Sequence, residues 1–189
     1  MSQPTPASLP IQDDSQRYGV VTRILHWAMA SLILWQFLCM GIKVIFGRQD
    51  FVKLFVSTHA PVGTVLFALM VIRVVWALAN HNNRPEHGQG LVAQAAKLGH
   101  LALYVLMIAV PTIAVVRGWA GDRPFMPFGL PINTGRPAEL IDTKFWGGVH
   151  GLLAWLLGLL VLGHIAMVMV HEKVWRDGTL ARMVGRKAA

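Results

Sequence analysis

Four long apolar runs decide what this chain can become. They cover about residues 24–46, 57–79, 98–116 and 146–170. Each approaches or exceeds the roughly 20 residues that carry an α-helix across a ~30 Å hydrocarbon layer. Backbone groups in lipid have no water to bond with, so runs of this kind are expected as helices. The expected fold is an all-α membrane protein, a bundle of four transmembrane helices with polar tails at 1–23 and 171–189. An even number of crossings puts both tails on one side. Nothing marks a second domain, so residues 1–189 are read as one.

Composition agrees. Hydrophobic residues make up 54% of the chain and charged ones 14%, against about a quarter charged in soluble proteins. So much apolar material would overfill the core of a globule this small. The first nineteen residues are polar, with acids and prolines, and lack the basic start and apolar centre of a cleavable signal. The first apolar helix is therefore expected to insert uncleaved. The single cysteine, Cys39, excludes an internal disulfide, and no C-x-x-C-H motif offers covalent haem attachment. It reads as a small buried apolar residue.

The chain carries a formal charge of +8, but its Lys and Arg lie in short segments between apolar runs. That is the pattern of membrane topology, and no nucleic-acid partner is expected. The connections cover about 47–56, 80–97 and 117–145. The tails and the second connection hold nine basic residues: Arg17, Arg23, Arg84, Lys97, Lys173, Arg176, Arg182, Arg186 and Lys187. The first and third connections hold seven, counting Lys43. This bias and the dense cluster after residue 170 favour both termini in the cytoplasm. In the Gly- and Pro-rich third connection, Trp119, Phe125 and Phe128 suit the headgroup level.

The histidines carry the functional signal. His81 and His87 lie in the polar second connection and read as surface residues. Six others lie within or at the ends of the apolar helices: His26, His59, His100, His150, His164 and His171. An ionisable residue in a membrane span is costly, and a functional role is its default reading. His150 and His164 are fourteen residues apart, which on a helix places them within about 40° of one face and roughly 21 Å apart. Following the chain through the membrane gives two layers. His26 with His164 lies toward the cytoplasm, and His59 with His150 toward the outside.

Imidazole pairs with no carboxylate or thiolate beside them suit zinc poorly, since a structural zinc site wants four ligands. Haem iron needs only two axial ligands. Two pairs at two depths describe two haems stacked across the membrane, with no open position on either iron. Gly63, Gly147, Gly151, Gly158 and Gly163 would let a porphyrin approach the backbone, or equally let helices pack. Arg73 follows His59 by fourteen residues, so helix 2 offers a ligand at one depth and a cation at the other. It is expected to pair with a propionate of the inner haem or with a quinone headgroup; snorkelling to the interface is the competing reading. His100 reads as a hydrogen-bonding residue near the inner haem, and His171 with Trp175 as the cytoplasmic mouth of the stack. Met40, Met70, Met167 and Met169 read as core filler.

These pieces together resemble the bacterial cytochrome b561 family. The matching stretches are RYGVVTRILHW (17–27), HAPVGTVLFALMVIRVVW (59–76), KLGHLALYVLMIAVP (97–111), the His150 and His164 pair, and WRDGTLARM (175–183). The resemblance covers about residues 17 to 187. It implies a four-helix protein of the bacterial inner membrane with two b-type haems, one on His26 and His164 and the other on His59 and His150. It further implies superoxide as electron donor at the periplasmic face and ubiquinone as acceptor, with quinone contact near His171 and Trp175. At two positions this chain departs from the superoxide-oxidising pattern. HGLLA stands where that pattern has HETLA, putting Gly151 in place of Glu, and His171-Glu172 stands where it has an HH pair. Both lie at the mouths of the stack, where donor and acceptor would bind.

Two functions follow as expectations. One is a self-contained oxidoreductase that passes electrons from superoxide or another periplasmic donor to ubiquinone. The other is a membrane-anchor subunit that relays electrons between a soluble redox partner protein and the quinone pool. A haem-free bundle, with histidines as polar glue, is the third class. Arg48, Lys53, Arg117, Arg123, Arg136 and Lys144 slightly outnumber Asp50, Asp122, Glu139 and Asp142 in the outer connections, a small excess for steering an anion.

Overall fold

The computed structural model describes residues 10–83, 85 and 90–186. The expectations for Arg84, His87 and Lys187, and for residues 1–9, fall outside them. Helix α1 spans Val20–Phe46, α2 Asp50–Ser57, α3 His59–Ala79, α4 Gly90–Ala120, α5 Thr143–Val170 and α6 Thr179–Met183. The end of α5 widens into a π-helical turn, His171–Trp175. Four stretches are long and apolar enough to cross a membrane: Val20–Phe46, Asp50–Ala79, Gly90–Ala120 and Thr143–Trp175. Among the described residues there is no strand, only an isolated bridge between Phe125 and Asn133. The chain is an all-α, multi-pass membrane protein.

The helices outrun their apolar runs. Helix α4 begins at Gly90, eight residues before the expected start, because LVAQAAK keeps good helix formers while Gln94 and Lys97 lower its hydropathy. The first connection is itself helical. In α2 the charges of Asp50 and Lys53 pair with each other at 2.7 Å on the exposed side, while Val52 is buried. Thr58 joins α2 to α3. Its hydroxyl accepts from Trp35 Nε1 at 2.9 Å and donates to the Phe55 carbonyl at 2.7 Å, tying the joint to α1. Cys39 is fully buried beside that hydroxyl.

Few side chains are buried; Met29, Cys39, Met70, Leu106 and Leu157 are among them. Leu152, Leu159 and Leu162 on α5 are 66–71% exposed, which is unaffordable in water but ordinary where lipid is the solvent. Helix α4 packs extensively on α5, α1 on α3, and α3 on α4. Neither α1 nor α3 packs extensively on α5, so the interior between them is left to side chains.

Both described ends of the chain meet on one side, the terminal end. Tyr18 N donates to Arg182 O at 3.3 Å and Trp27 Nε1 to Met183 O at 3.4 Å. The buried Asp13 carboxylate accepts from Gly19 N at 2.9 Å and pins the entry to α1. A Cβ at Gly19 would lie 2.4 Å from the Ile11 and Gln12 backbone, so only glycine permits that approach. At the opposite, distal end, Asp142 caps α5 by accepting from Phe145 N at 2.8 Å.

The third connection is a folded cap. Its fastener is Asn133, 6% exposed. The Asn133 amide nitrogen donates toward the carbonyls of Gly118, Gly121 and Arg123, at 3.1, 2.7 and 3.1 Å, and its oxygen accepts from Gly135 N at 2.9 Å. Phe125 lies on Gly118, where a Cβ would sit 2.5 Å from the ring. Trp119 and Phe128 remain exposed, as residues at headgroup level would be, whereas Phe125 is turned into the cap.

Candidate functional site

The structure brings four of the histidines together in two pairs. At the terminal end the rings of His26 on α1 and His164 on α5 stand 6.3 Å apart, centre to centre. At the distal end the rings of His59 on α3 and His150 on α5 stand 6.2 Å apart. In each pair the two helices are ones that do not pack extensively on each other. Two imidazoles on opposite faces of one metal, with metal–nitrogen bonds of about 2.0 Å and ring centres about 1.1 Å beyond the nitrogens, stand about 6.2 Å apart. Both gaps fit that arrangement. They exceed the reach of a direct hydrogen bond between rings facing each other nitrogen to nitrogen, so the pairs are not closed on themselves.

The distal pair borders a cavity of about 920 Å³ between α1, α3, α4, α5 and the cap, at the upper end of the roughly 300–1,000 Å³ of cofactor clefts. His150 Nδ1 contacts the Val110 carbonyl at 2.9 Å. A carbonyl only accepts, so Nδ1 carries the proton and Nε2 holds the free lone pair that a metal requires. On the other wall Gln36 Nε2 donates to the His59 carbonyl at 2.9 Å. The buried Gln36 Oε1 and His59 Nδ1 find no partner among the described residues. Gly63 and Gly151 line this cavity. The glycines divide by role: a Cβ at Gly158 would meet the Phe37 ring at 2.9 Å and one at Gly63 would meet Gln36 at 3.0 Å. Those two make room for side chains of α1. Gly151 and Gly163 have nothing within 4 Å and leave space.

The terminal layer is more polar. Arg73 lies close enough to His26 and His164 to act on both electrostatically. Arg73 Nε donates to Tyr104 Oη at 3.1 Å, its Nη1 approaches the Thr22 carbonyl at 3.5 Å, and its guanidinium lies 5.7 Å over the Tyr104 ring. It is therefore held inside the bundle rather than snorkelling outward. Trp76 Nε1 donates to the Thr22 hydroxyl at 2.9 Å. His100 reaches the same layer, with its ring 5.4 Å from His164 and its Nδ1 donating to the Ala96 carbonyl at 2.8 Å.

Below this layer, in the π-helical turn, His171 and Trp175 touch edge to face at 4.6 Å. His171 Nδ1 meets Asp177 Oδ2 at 2.5 Å. Burial works to raise the Asp177 pKa, but hydrogen bonds from Thr179 and His171 outweigh it and hold the carboxyl below its usual value. Among the described residues no three His, Cys, Asp or Glu side chains form a group that could hold a metal ion, so what the interior offers is ligands in twos.

Residues 17–186 match the family model of the prokaryotic cytochrome b561. The chain belongs to that family. It is 29% identical over 181 residues to cytochrome b561 homolog 2 of Escherichia coli (strain K12), covering 92% of this chain and 94% of that protein. It is 24% identical over 176 residues to a probable superoxide oxidase CybB of Yersinia pestis, covering 91% and 98%. As a cytochrome b561 the chain is a membrane cytochrome of electron transport whose cofactor is haem b. Four side chains of this b561 site are not evident from histidine spacing alone: Gln36, Tyr104, Thr22 and Asp177. Tyr104 follows His100 by one helical turn and so shares its face, and Gln36 is a lone amide in an apolar span; both carry a signal in the sequence. Asp177 becomes meaningful only once the π-turn brings it back to His171.

Proposed function

We propose that this cytochrome b561 holds two haems b and carries electrons across the membrane to ubiquinone, as an oxidoreductase acting on a donor at the distal end. His26 and His164 hold one haem and His59 and His150 the other. The two imidazole spacings of 6.3 and 6.2 Å carry this reading. Haem b alternates between ferric and ferrous iron and passes one electron at a time. His150, fixed by Val110, presents one ligand in a single orientation and tautomer. Arg73, braced by Tyr104, offers its charge to a propionate or to a quinone headgroup in the terminal layer, and His100 supplies a hydrogen-bonding ring there. His171 and Trp175 form the quinone contact, with Asp177 orienting the imidazole.

The basic excess around the tails favours the terminal end in the cytoplasm and the distal cavity toward the periplasm. Superoxide as donor is supported by the similarity to the probable superoxide oxidase of Yersinia pestis. Gly151, where the superoxide-oxidising pattern has Glu, opens space at the distal mouth. Rapid mixing of the purified protein with superoxide, followed by a short-chain ubiquinone, tests the reading. Haem absorption should shift to the reduced form and then return as quinol appears. Haem that stays oxidised with superoxide but is reduced by a soluble redox protein would overturn the donor and favour the anchor-subunit alternative.

A further inference from the structure

The distal cavity carries a charge imbalance that the imidazoles do not explain. Its lining includes four cations, Lys43, Arg117, Arg123 and Lys144, against two carboxylates, Asp122 and Glu139. None of the four cationic side chains has a hydrogen-bond or ion-pair partner among the described residues. Of the outer cations elsewhere, Lys53 pairs with Asp50, and Arg136 lies 5.1 Å over Trp119 with Nε donating to its carbonyl at 3.2 Å, while Arg48 stands outside the lining. Within the lining the imbalance amounts to two positive charges.

Two of these cations lie within electrostatic reach of the paired imidazoles. Arg117, half-buried at the end of α4, rests its guanidinium on α5, where a Cβ at Gly147 would lie 3.4 Å from Cζ. Gly147 precedes His150 by one turn, and the Arg117 charge acts on that ring. Lys43, in the last turn of α1, acts on His59 in the same way. Each member of the pair thus feels the charge of one cation, and both cations line the cavity. A part-buried guanidinium such as Arg117 left unpaired at the edge of an apolar span is costly and awaits an anion, and the exposed Lys43 ammonium is free to join it. Haem b brings two carboxylates on one edge, which equals the excess.

We propose that Lys43 and Arg117 clamp the two propionates of the haem held by His59 and His150, so that its carboxylate edge faces the distal mouth. The proposal rests on the two-haem reading above. The two propionates also offset the two excess positive charges of the lining, so these two cations anchor the cofactor instead of steering an anionic donor.

The test uses full-length protein in detergent, with loss of each haem to excess apomyoglobin followed by absorbance. In Lys43→Gln/Arg117→Gln one of the two haems should leave on the order of ten-fold faster, as expected for losing charge-assisted hydrogen bonds. The other haem should leave at the wild-type rate. Arg117→Lys should recover part of the difference, and Arg123→Gln/Lys144→Gln should behave as wild type. Wild-type protein reconstituted with haem b dimethyl ester, which has no free carboxylates, should lose the distal haem as fast as the double variant; this arm needs no substitution to fold. Wild-type retention in the double variant would overturn the clamp, and slower superoxide-dependent reduction in that same variant would mark the cations as a steering surface. A wild-type protein with no haem would instead defeat the two-haem reading, and its spectrum would say so before any variant is made.

Discussion

Asn133→Ala should release the cap at the distal end while leaving the four helices in place. The wild-type side chain fills three acceptor contacts and one donor contact in a site that is 6% exposed. An amide group has two hydrogens, so the three carbonyls share them, and the side chain makes the equivalent of three hydrogen bonds. Each buried partner left unpaired costs about 1–3 kcal/mol, and water reaching a surface loop recovers part of that, so the loss is about 3–5 kcal/mol. The cost falls on local opening of residues 121–142, because α4 and α5 on either side remain packed on each other. Hydrogen exchange read by mass spectrometry should show protection in this segment falling on the order of 10²–10⁴-fold, with the helix centres unchanged. Asn133→Asp should be worse, since it sets a carboxylate against three carbonyl oxygens. If protection in 121–142 stayed within a few-fold of wild type, the Phe125 bridge and the Arg136–Trp119 contact would be holding the cap and the reasoning would be wrong.

Gly158→Leu should separate α1 from α5, because even a Cβ there meets the Phe37 ring at 2.9 Å. Overpacking of this kind costs about 1–3 kcal/mol; the thermal midpoint in detergent should drop, and adding Phe37→Ala should recover part of it. No recovery would mean that the two residues are not the contact. The His171–Asp177 pair should be sensitive to acid. The Asp177 pKa is depressed in the folded protein, so its stabilising contribution is complete above the ordinary carboxylate pKa and is lost as the pH falls through the folded value, below about pH 4. Nitrogen-15 shifts of His171 should therefore show its hydrogen bond intact at neutral pH and released in acid; Asp177→Asn should remove the acid transition.

The four spans and both histidine pairs are legible in the sequence for one physical reason. Lipid forbids unsatisfied backbone and penalises ionisable side chains, so apolar length marks the helices and each intramembrane imidazole stands out against them. Fourteen-residue spacing then sets depth. Helix ends are less legible because hydropathy marks where lipid stops rather than where hydrogen bonding stops. So α4 starts at Gly90 rather than near 98, and α2 is a helix where only a connection was expected. Arg73 lies at the depth that its spacing from His59 indicates, but that it is held inside the bundle instead of snorkelling depends on Tyr104 and Thr22, which belong to other helices. The cap was the least legible part: one asparagine among polar residues gives no sign that it will collect three carbonyls.

The central claim is that four histidines hold two haems in two separate layers. Absorbance and iron content of purified His59→Ala and His164→Ala test it most directly. Wild type should contain two haems per chain, and each variant should keep one low-spin haem, a different one in the two proteins. Two haems retained in either variant, or a single haem in wild type that both substitutions abolish, would contradict it.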